Sequence, residues 1–328
     1  MVLSIIIPYF NSNAWIGKML DSLLDQDLEP SDYEIIVVDD GSTEEPVVLK
    51  DYAERYPQIH YHRRDNAGVS AARNYGLSLA LGDWLYICDS DDYLQPGVLG
   101  GIIAAAEERG LEMISANRLE VYPSDQVSAP RRNFSDVSGT MTGLEYLDYP
   151  SFSWGVWSFL LRRSVVEEHK MAFEHIFYVE DRLFMLDLLP IISSVAHIDV
   201  DLYYYVQHDI SVLHSRRKQN GPEFIEAWFK YLKKLNELIK DVSVPAYVSN
   251  SSQVRLAADS FVLLLNAFQY CPVEDTINSI SRLEAIGAYP IGKSNHRQAQ
   301  LLRPVVNCKH LWIFLCKCYH IIKNGKVS

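Results

Sequence analysis

The chain has 328 residues, of which 48% are hydrophobic and 22% charged, which is typical of a folded protein of about two domains. Its formal net charge of −12 argues against general nucleic-acid binding, because a phosphate backbone would repel so acidic a surface. The five cysteines are odd in number and the chain begins without a basic, apolar leader, so we expect a cytoplasmic protein with free thiols.

Short apolar runs alternate with segments of helical periodicity in the first 110 residues. Strands are predicted at Leu3–Ile7, Glu34–Val38, Ile59–His62 and Trp84–Cys88. Helices are predicted at Trp15–Leu24, Pro46–Tyr56, Ser70–Leu81 and Pro96–Arg109. This alternation is typical of right-handed βαβ units and predicts an α/β fold, Rossmann-like, with a mainly parallel central sheet flanked by helices.

The pattern after Arg109 is less regular and ends in a helical region. Strands are predicted at Leu111–Ser115, Leu119–Tyr122, Val156–Leu161 and Leu202–Val206, with a loop over Ser124–Val137, a short helix from Ser164 and a helix at Glu180–Leu189. The polar stretch Gln207–Gly221 predicts a domain boundary. Only helices are expected beyond it, at Glu223–Lys240, Tyr247–Tyr270, Val273–Ile286 and from Arg303 onward.

Acidic residues directly follow two of the predicted parallel strands. Asp39 and Asp40 follow the second strand, and Asp89, Asp91 and Asp92 follow the fourth. Both groups are expected at the same edge of the sheet, where open α/β sheets bind their ligands. Carboxylates this close together repel one another unless a cation lies between them, and their oxygens suit a divalent ion. From the residues alone, acidic turns that cap the following helices explain the pattern as well.

Four segments, in order, resemble family 2 glycosyltransferases of the GT-A fold. They are Ser4–Asn11, Val37–Ser42, Asn66–Asn74 and Asp89–Asp92, and weaker similarity continues through Trp157–Ser164, Val179–Asp181 and Tyr203–Tyr205. The resemblance implies a nucleotide-sugar-binding half over residues 1–100 and an acceptor-binding half over residues 101–220. The C-terminal all-helical region, residues 221–328, is not covered and is expected to serve packing, oligomerisation or membrane association.

The resemblance also implies roles for individual residues. Those expected to contact the nucleotide are Pro8, Asn11, Asp39, Asp40, Gly68, Arg73, Asp89 and Ser90. Asp91, together with Asp89 and His208, would bind Mn²⁺ or Mg²⁺ at the donor diphosphate, and the cation would stabilise the departing charge. Asp181 would be the general base that deprotonates an acceptor hydroxyl. One base, without a second carboxylate as nucleophile, implies single displacement with inversion.

The expected reaction moves a sugar from a nucleotide-sugar donor, a UDP-sugar, to a hydroxyl of a glycan or lipid-linked glycan acceptor in bacterial surface-polysaccharide synthesis. Two alternatives remain open. A nucleotidyltransferase shares the strand-end acids, although Pro8–Asn13 contains none of the glycines or basic residues of its usual phosphate loop. A non-catalytic nucleotide-sugar-binding assembly protein would keep its biological function in an Asp181→Asn variant.

One apolar segment lies outside the resemblance. His310–Ile322 is apolar, and Lys309, Lys317, Lys323 and Lys326 are spread along it. The segment is shorter than the roughly 20 residues that span a bilayer. It is expected either to pack on its own domain or on a second subunit of a homo-oligomer, or to lie in the plane of the inner leaflet as a peripheral anchor.

Overall fold

The computed structural model describes residues 1–122, 130–176, 178–207 and 221–325. The described residues form two compact units. The first unit comprises those of 1–175 and 180–207, and the second comprises those of 176–179 and 221–325. Each unit is described by itself below.

Nine strands of the described chain form one mixed sheet in the first unit. They are β1 (Leu3–Tyr9), β2 (Tyr33–Asp40), β3 (Ile59–Arg64), β4 (Trp84–Ile87), β5 (Tyr93–Leu94), β6 (Met113–Val121), β7 (Arg132–Val137), β8 (Phe159–Arg162) and β9 (Val195–Val206). The strand order is β3-β2-β1-β4-β8-β6-β9-β5, and β7 also pairs with β9. Six strands are parallel, and β5, β7 and β8 run antiparallel to their partners.

Each unit contains helices. The first unit contains α1 (Ile16–Leu24), α2 (Val47–Arg55), α3 (Val69–Leu79), α4 (Leu99–Glu108), α5 (Gly143–Tyr146), α6 (Arg163–Glu168) and α7 (Glu180–Leu188). The second unit contains α8 (Gly221–Lys240), α9 (Ala246–Tyr270), α10 (Val273–Ile286), α11 (Arg297–Asn307) and α12 (Lys309–Gly325). The predicted α/β fold with a mainly parallel sheet and a C-terminal helical region is confirmed.

Strand β1 shows why the centre of the sheet is buried on both faces. All seven of its residues are buried, as expected for a parallel strand between two helical layers. Ile5 and Ile7 point into the core cluster that contains the apolar face of α1. Ile6 points to the other face, where α3 packs so closely that a Cβ at Gly76 would lie 2.4 Å from its Cγ2.

Four sequence predictions for the middle of the chain are wrong in detail. Residues 111–122 contain one strand, β6, because a bulge at Ala116 and Asn117 keeps it paired with β9. The predicted loop contains β7, a polar and largely exposed edge strand; residues 124–129 of that loop lie outside the described part of the chain. Strand β9 begins at Val195 and not at Leu202, and Val156–Ser158 forms a 3₁₀ turn before β8.

The second unit is helical wherever it is described beyond Gly221. Helices α8 and α9 are joined by a hydrogen bond in which the Tyr231 hydroxyl donates to Asp259 over 2.7 Å. Helix α12 packs its Trp312 ring 5.0 Å from the ring of Phe268. In the described ranges, every helix is too short or too polar to cross a membrane. Most of the predicted boundary at 207–221 lies outside the described residues, so it stays a prediction.

Candidate active site

The loops that follow β1 and β2 are fastened together by Asn11. This residue has a positive φ of 50°, and its N–H donates to the Ser42 hydroxyl over 2.9 Å. Its side-chain Oδ1 accepts from the N–H groups of Thr43 at 2.9 Å and Glu44 at 3.1 Å. The two loops therefore form one surface at the carboxyl edge of the sheet, and Pro8 lies buried just before it, within β1.

Asp39 is fully buried at the end of β2. One carboxylate oxygen accepts from the Ser42 N–H at 2.8 Å, which closes the turn after the strand. The other oxygen accepts from the Tyr61 hydroxyl and from Arg63, each at 2.9 Å. Both oxygens of Asp39 thus hold the local chain, and its expected contact with a nucleotide stays a prediction.

Asp40 joins β2 to the loop that leads into α3. Its carboxylate is 4% exposed and accepts from the N–H of Gly68 at 2.7 Å and from that of Ala67 at 3.1 Å. Gly68 has φ +92° and ψ 164°, a conformation that residues with a Cβ rarely adopt. Helix α3 therefore begins at a fixed point beside the strand-end acids.

Arg73 of α3 lies at the centre of three carboxylates. Its Nη2 donates to Asp89 Oδ1 over 3.0 Å, and its Nη1 donates to Asp181 Oδ1 over 2.7 Å and to Glu180 Oε1 over 3.4 Å. The Arg73 side chain is 3% exposed, and its guanidinium carbon lies 5.2 Å from the centre of the Phe173 ring. We refer to Arg73, Asp89, Glu180 and Asp181 as the Arg73 cluster; it joins α3, the loop after β4 and the start of α7.

The remaining residues after β4 differ in exposure. Asp92 is 2% exposed and is held by β9, because it accepts from the Tyr203 hydroxyl at 2.6 Å and from the Val206 N–H at 2.7 Å. Ser90 is buried, and its hydroxyl donates to that of Ser12 over 2.9 Å. Asp91 is exposed at the tip of the loop. The carboxylates after β4 therefore differ in role: Asp92 anchors the loop to β9, whereas Asp91 is accessible to solvent.

Burial changes the protonation of two of these acids. The pKa of Asp181 is raised to about 7, mainly by burial and also by Glu180 and Asp89, while the Arg73 charge lowers it. The pKa of Asp92 is raised to about 8 by burial and by the charges of Asp89 and Asp91. A carboxyl group with a pKa close to neutrality is suited to accept a proton during a reaction.

The carboxylate oxygens after β4 are suitable ligands for a hard divalent cation whose other ligands are phosphate oxygens of a substrate. No group of three His, Cys, Asp or Glu side chains is placed to hold a metal in the parts of the chain described. Mg²⁺, however, is usually held by one or two carboxylates, with water and substrate phosphates as the other ligands. The exposed Asp91 and the partly exposed Asp89 provide such a pair of oxygen ligands. His208 lies outside the described residues.

The structure adds three site residues that the sequence interpretation did not assign. Glu180 contributes a third carboxylate to the Arg73 cluster; an acid at a helix start ordinarily does no more than complement the charge of the helix N-terminus. Asp92 and Tyr203 form the anchor between the loop after β4 and β9. Their signal was present in the motifs 89–92 and 203–205, which are far apart in the chain and meet only in the sheet.

Comparisons with known proteins identify the family of this chain. The model of glycosyl transferase family 2 matches residues 4–170, slightly more than half of the sequence. The chain therefore belongs to glycosyl transferase family 2, and the family predicted from the four sequence segments is confirmed.

Several curated relatives are bacterial glycosyltransferases. The chain is 31% identical to the uncharacterized glycosyltransferase EpsJ of Bacillus subtilis over 64% of this chain and 62% of that protein. It is 30% identical to a poly(ribitol-phosphate) beta-glucosyltransferase of Bacillus spizizenii over 64% of this chain and 33% of that protein. It is 25% identical to the poly(ribitol-phosphate) beta-N-acetylglucosaminyltransferase TarP of Staphylococcus aureus over 80% and 79% of the two chains. The matched part of this chain thus spans less than two thirds of the length of EpsJ and of the beta-glucosyltransferase.

Solved structures share the fold. S. aureus TarS 1–349, crystallised with UDP, has a TM-score of 0.68 at 19% identity, over 98% of this chain and 91% of that one. The mannosyltransferase PcManGT of Pyrobaculum calidifontis, in complex with GDP-Man and Mn²⁺, has a TM-score of 0.54 at 15% identity, over 97% and 86%. Similarity at these identities shows the fold alone, and it confirms the predicted GT-A fold.

Proposed function

We propose that this chain is an inverting, metal-dependent glycosyltransferase that moves a sugar from a UDP-sugar to a hydroxyl of a glycan or lipid-linked glycan in surface-polysaccharide synthesis. The observation that carries the proposal is the Arg73 cluster, in which one guanidinium holds Asp181 and Asp89 close together. Family membership favours sugar transfer over nucleotidyl transfer. The names of relatives that act on poly(ribitol-phosphate), and the TarS structures with UDP and UDP-GlcNAc, support the choice of donor and acceptor class.

Asp181 is the proposed general base. As the acceptor oxygen bonds to the anomeric carbon, the bond from that carbon to the diphosphate oxygen breaks, and the hydroxyl proton passes to the Asp181 carboxylate. A raised pKa of about 7 leaves much of this carboxyl ionised at neutral pH and gives it enough basicity to take the proton. Attack from the face opposite the leaving group gives inversion.

Asp91 and Asp89 are the proposed ligands of a divalent cation, Mn²⁺ or Mg²⁺. When bound there, the cation supplies positive charge against the diphosphate that departs. Asp91 is exposed and able to reach a ligand, whereas Asp89 also bonds to Arg73. Arg73 therefore holds the proposed base and a proposed metal ligand close together. The group that would act on the acceptor is thereby positioned relative to the group that would act on the donor.

The donor half of this proposal is tested by thermal shift with UDP, GDP, UDP-Glc and UDP-GlcNAc, each with and without Mn²⁺. We expect a UDP compound to raise the Tm. The increase should be larger with Mn²⁺, because the cation would bind both the protein carboxylates and the diphosphate of the nucleotide. The Asp91→Asn variant should lose the Mn²⁺-dependent part of the shift. A protein that no nucleotide stabilises, with or without Mn²⁺, contradicts the proposal.

The catalytic half is tested by Asp181→Asn, which removes the base while keeping the size of the side chain. Release of UDP from the stabilising donor should fall about 10²- to 10⁴-fold, while the UDP-induced Tm shift is retained. Asp148→Asn, which changes an exposed carboxylate of the same unit, is the matched control and should behave as wild type. Undiminished turnover in Asp181→Asn would contradict the assignment of Asp181 as the base. A product whose anomeric configuration is retained, as determined by NMR, would contradict the proposed inversion.

A further inference from the structure

The charge of this chain is unevenly distributed along the sequence. Residues 285–328 contain seven of the 30 Lys and Arg residues and none of the 42 Asp and Glu residues. The rest of the chain therefore carries more negative charge than the net value of −12 indicates. A basic, acid-free segment in so acidic a protein is attracted to negatively charged surfaces while the remainder is repelled by them.

Helix α12 in this segment exposes a continuous apolar face. The large apolar side chains that are between 37% and 72% exposed on it are Leu311, Phe314, Leu315, Ile321 and Ile322. Their spacing of three, four and seven residues places them on one side of the helix. The opposite side is already packed within the unit, since Trp312 is 4% and Cys316 0% exposed. The exposed face is therefore a second apolar face, additional to the one that holds α12 in place.

Positive charge accompanies this apolar face. Lys317 is exposed on α12, and Arg297 is exposed on the preceding helix α11, which also exposes 71% of Leu301. Lys309 is paired with Glu284 at 2.9 Å and contributes less. By helical spacing Lys317 lies at the edge of the apolar stripe, and an exposed apolar stripe with a basic residue at its edge is the pattern of a helix that lies in the interface of a bilayer.

We propose that α12 docks in the plane of a membrane that contains anionic phospholipids. A second copy of the chain fits the same face less well, because a two-fold interface would bring two acid-free basic segments together. A lipid surface provides both the apolar layer for the stripe and the negative charge for the lysines. This inference is independent of the proposed reaction, since it uses none of the residues of the Arg73 cluster.

Flotation of the full chain with vesicles tests the proposal. Binding is expected to vesicles of phosphatidylcholine with roughly one third phosphatidylglycerol, to weaken with salt, and to be much weaker to phosphatidylcholine alone. The double variant Leu311→Gln/Phe314→Gln should lose about tenfold or more of this binding. Leu81→Gln changes a leucine of the first unit that is 66% exposed; it is the matched control and should bind as wild type.

Charge is tested separately by Lys317→Glu, with Lys170→Glu as an exposed control in the first unit. Lys317→Glu should weaken binding to the anionic vesicles severalfold, and Lys170→Glu should leave it unchanged. Circular dichroism and Tm verify folding, and Lys317→Glu carries the test if the double variant does not fold. Wild-type binding by every α12 variant overturns the proposal. So does an oligomer in sedimentation velocity that the double variant loses while no form binds vesicles.

Discussion

Replacing Arg73 with Met would remove a buried cation that is bonded to three carboxylates. Removing one partner of a fully buried ion pair costs about 3–5 kcal/mol, because a charge is left without compensation. Water reaches the partners here, since the side chains of Asp89, Glu180 and Asp181 are 29%, 16% and 23% exposed. We therefore expect the free energy of unfolding to fall by about 2–4 kcal/mol.

The comparison variant is Arg55→Met, which breaks an exposed Arg–Asp pair on α2. Arg55 pairs with Asp51 four residues before it, and both side chains are at least half exposed. Such pairs contribute about 0–1 kcal/mol. Urea unfolding of the two variants and of the wild type, followed by tryptophan fluorescence and circular dichroism, measures the difference. An Arg73→Met variant that loses no more stability than Arg55→Met would refute the reasoning.

The stability difference should also depend on pH, with a definite sign. Arg73 lowers the pKa of Asp181, so without it the pKa of this partly buried carboxyl rises above about 7. The folded variant then binds more protons than the folded wild type in the neutral range. Because protonation relieves the repulsion among the carboxylates, the difference in unfolding free energy between variant and wild type should narrow as the pH falls from about 9 to about 6, where Asp181 becomes protonated in both proteins. A gap that stays constant over this range contradicts the Arg73 cluster as an electrostatic unit.

Two further predictions concern the same region. Because Asp181 must lose its proton to act as a base and its pKa is raised to about 7, kcat/KM should rise about tenfold per pH unit below that value and level off above it. A flat pH–rate profile with the stabilising donor would count against this. Tyr203→Phe removes the hydroxyl that donates to Asp92 and accepts from the Asp89 N–H, so the free energy of unfolding should fall by about 1–3 kcal/mol. An unchanged urea midpoint would show that the anchor contributes nothing.

Most of the first hundred residues could be predicted because their strands and helices are regular and locally encoded. Strand β1 is a continuous apolar run, and α1 repeats its apolar residues at helical spacing. Strand β7 could not be predicted, because its residues are polar and its partner β9 is distant in the chain. The start of β9 at Val195 was missed although its first residues are buried, because its partners β6 and β7 come from distant parts of the chain.

The sequence predicted which residues lie at the candidate site better than it predicted which of them contact each other. Motif spacing placed Asp40, Asp89 and Asp91 at one edge of the sheet, and the strand order has β2 and β4 on either side of β1. The contact between Arg73 and Asp181 depends on how α3 and α7 pack, and no local pattern encodes it. The assigned roles of these residues in binding and catalysis stay predictions until the variants are measured.

The link that Asn11 makes between two loops has a consequence for protein engineering. Because its backbone and side chain bind Ser42, Thr43 and Glu44, neither loop keeps its shape if the other is exchanged alone. A chimaera intended to change ligand preference at this edge should transplant both loops as a pair. A surface preformed in this way also loses little conformational entropy when it is occupied, so its selectivity comes from a fixed shape.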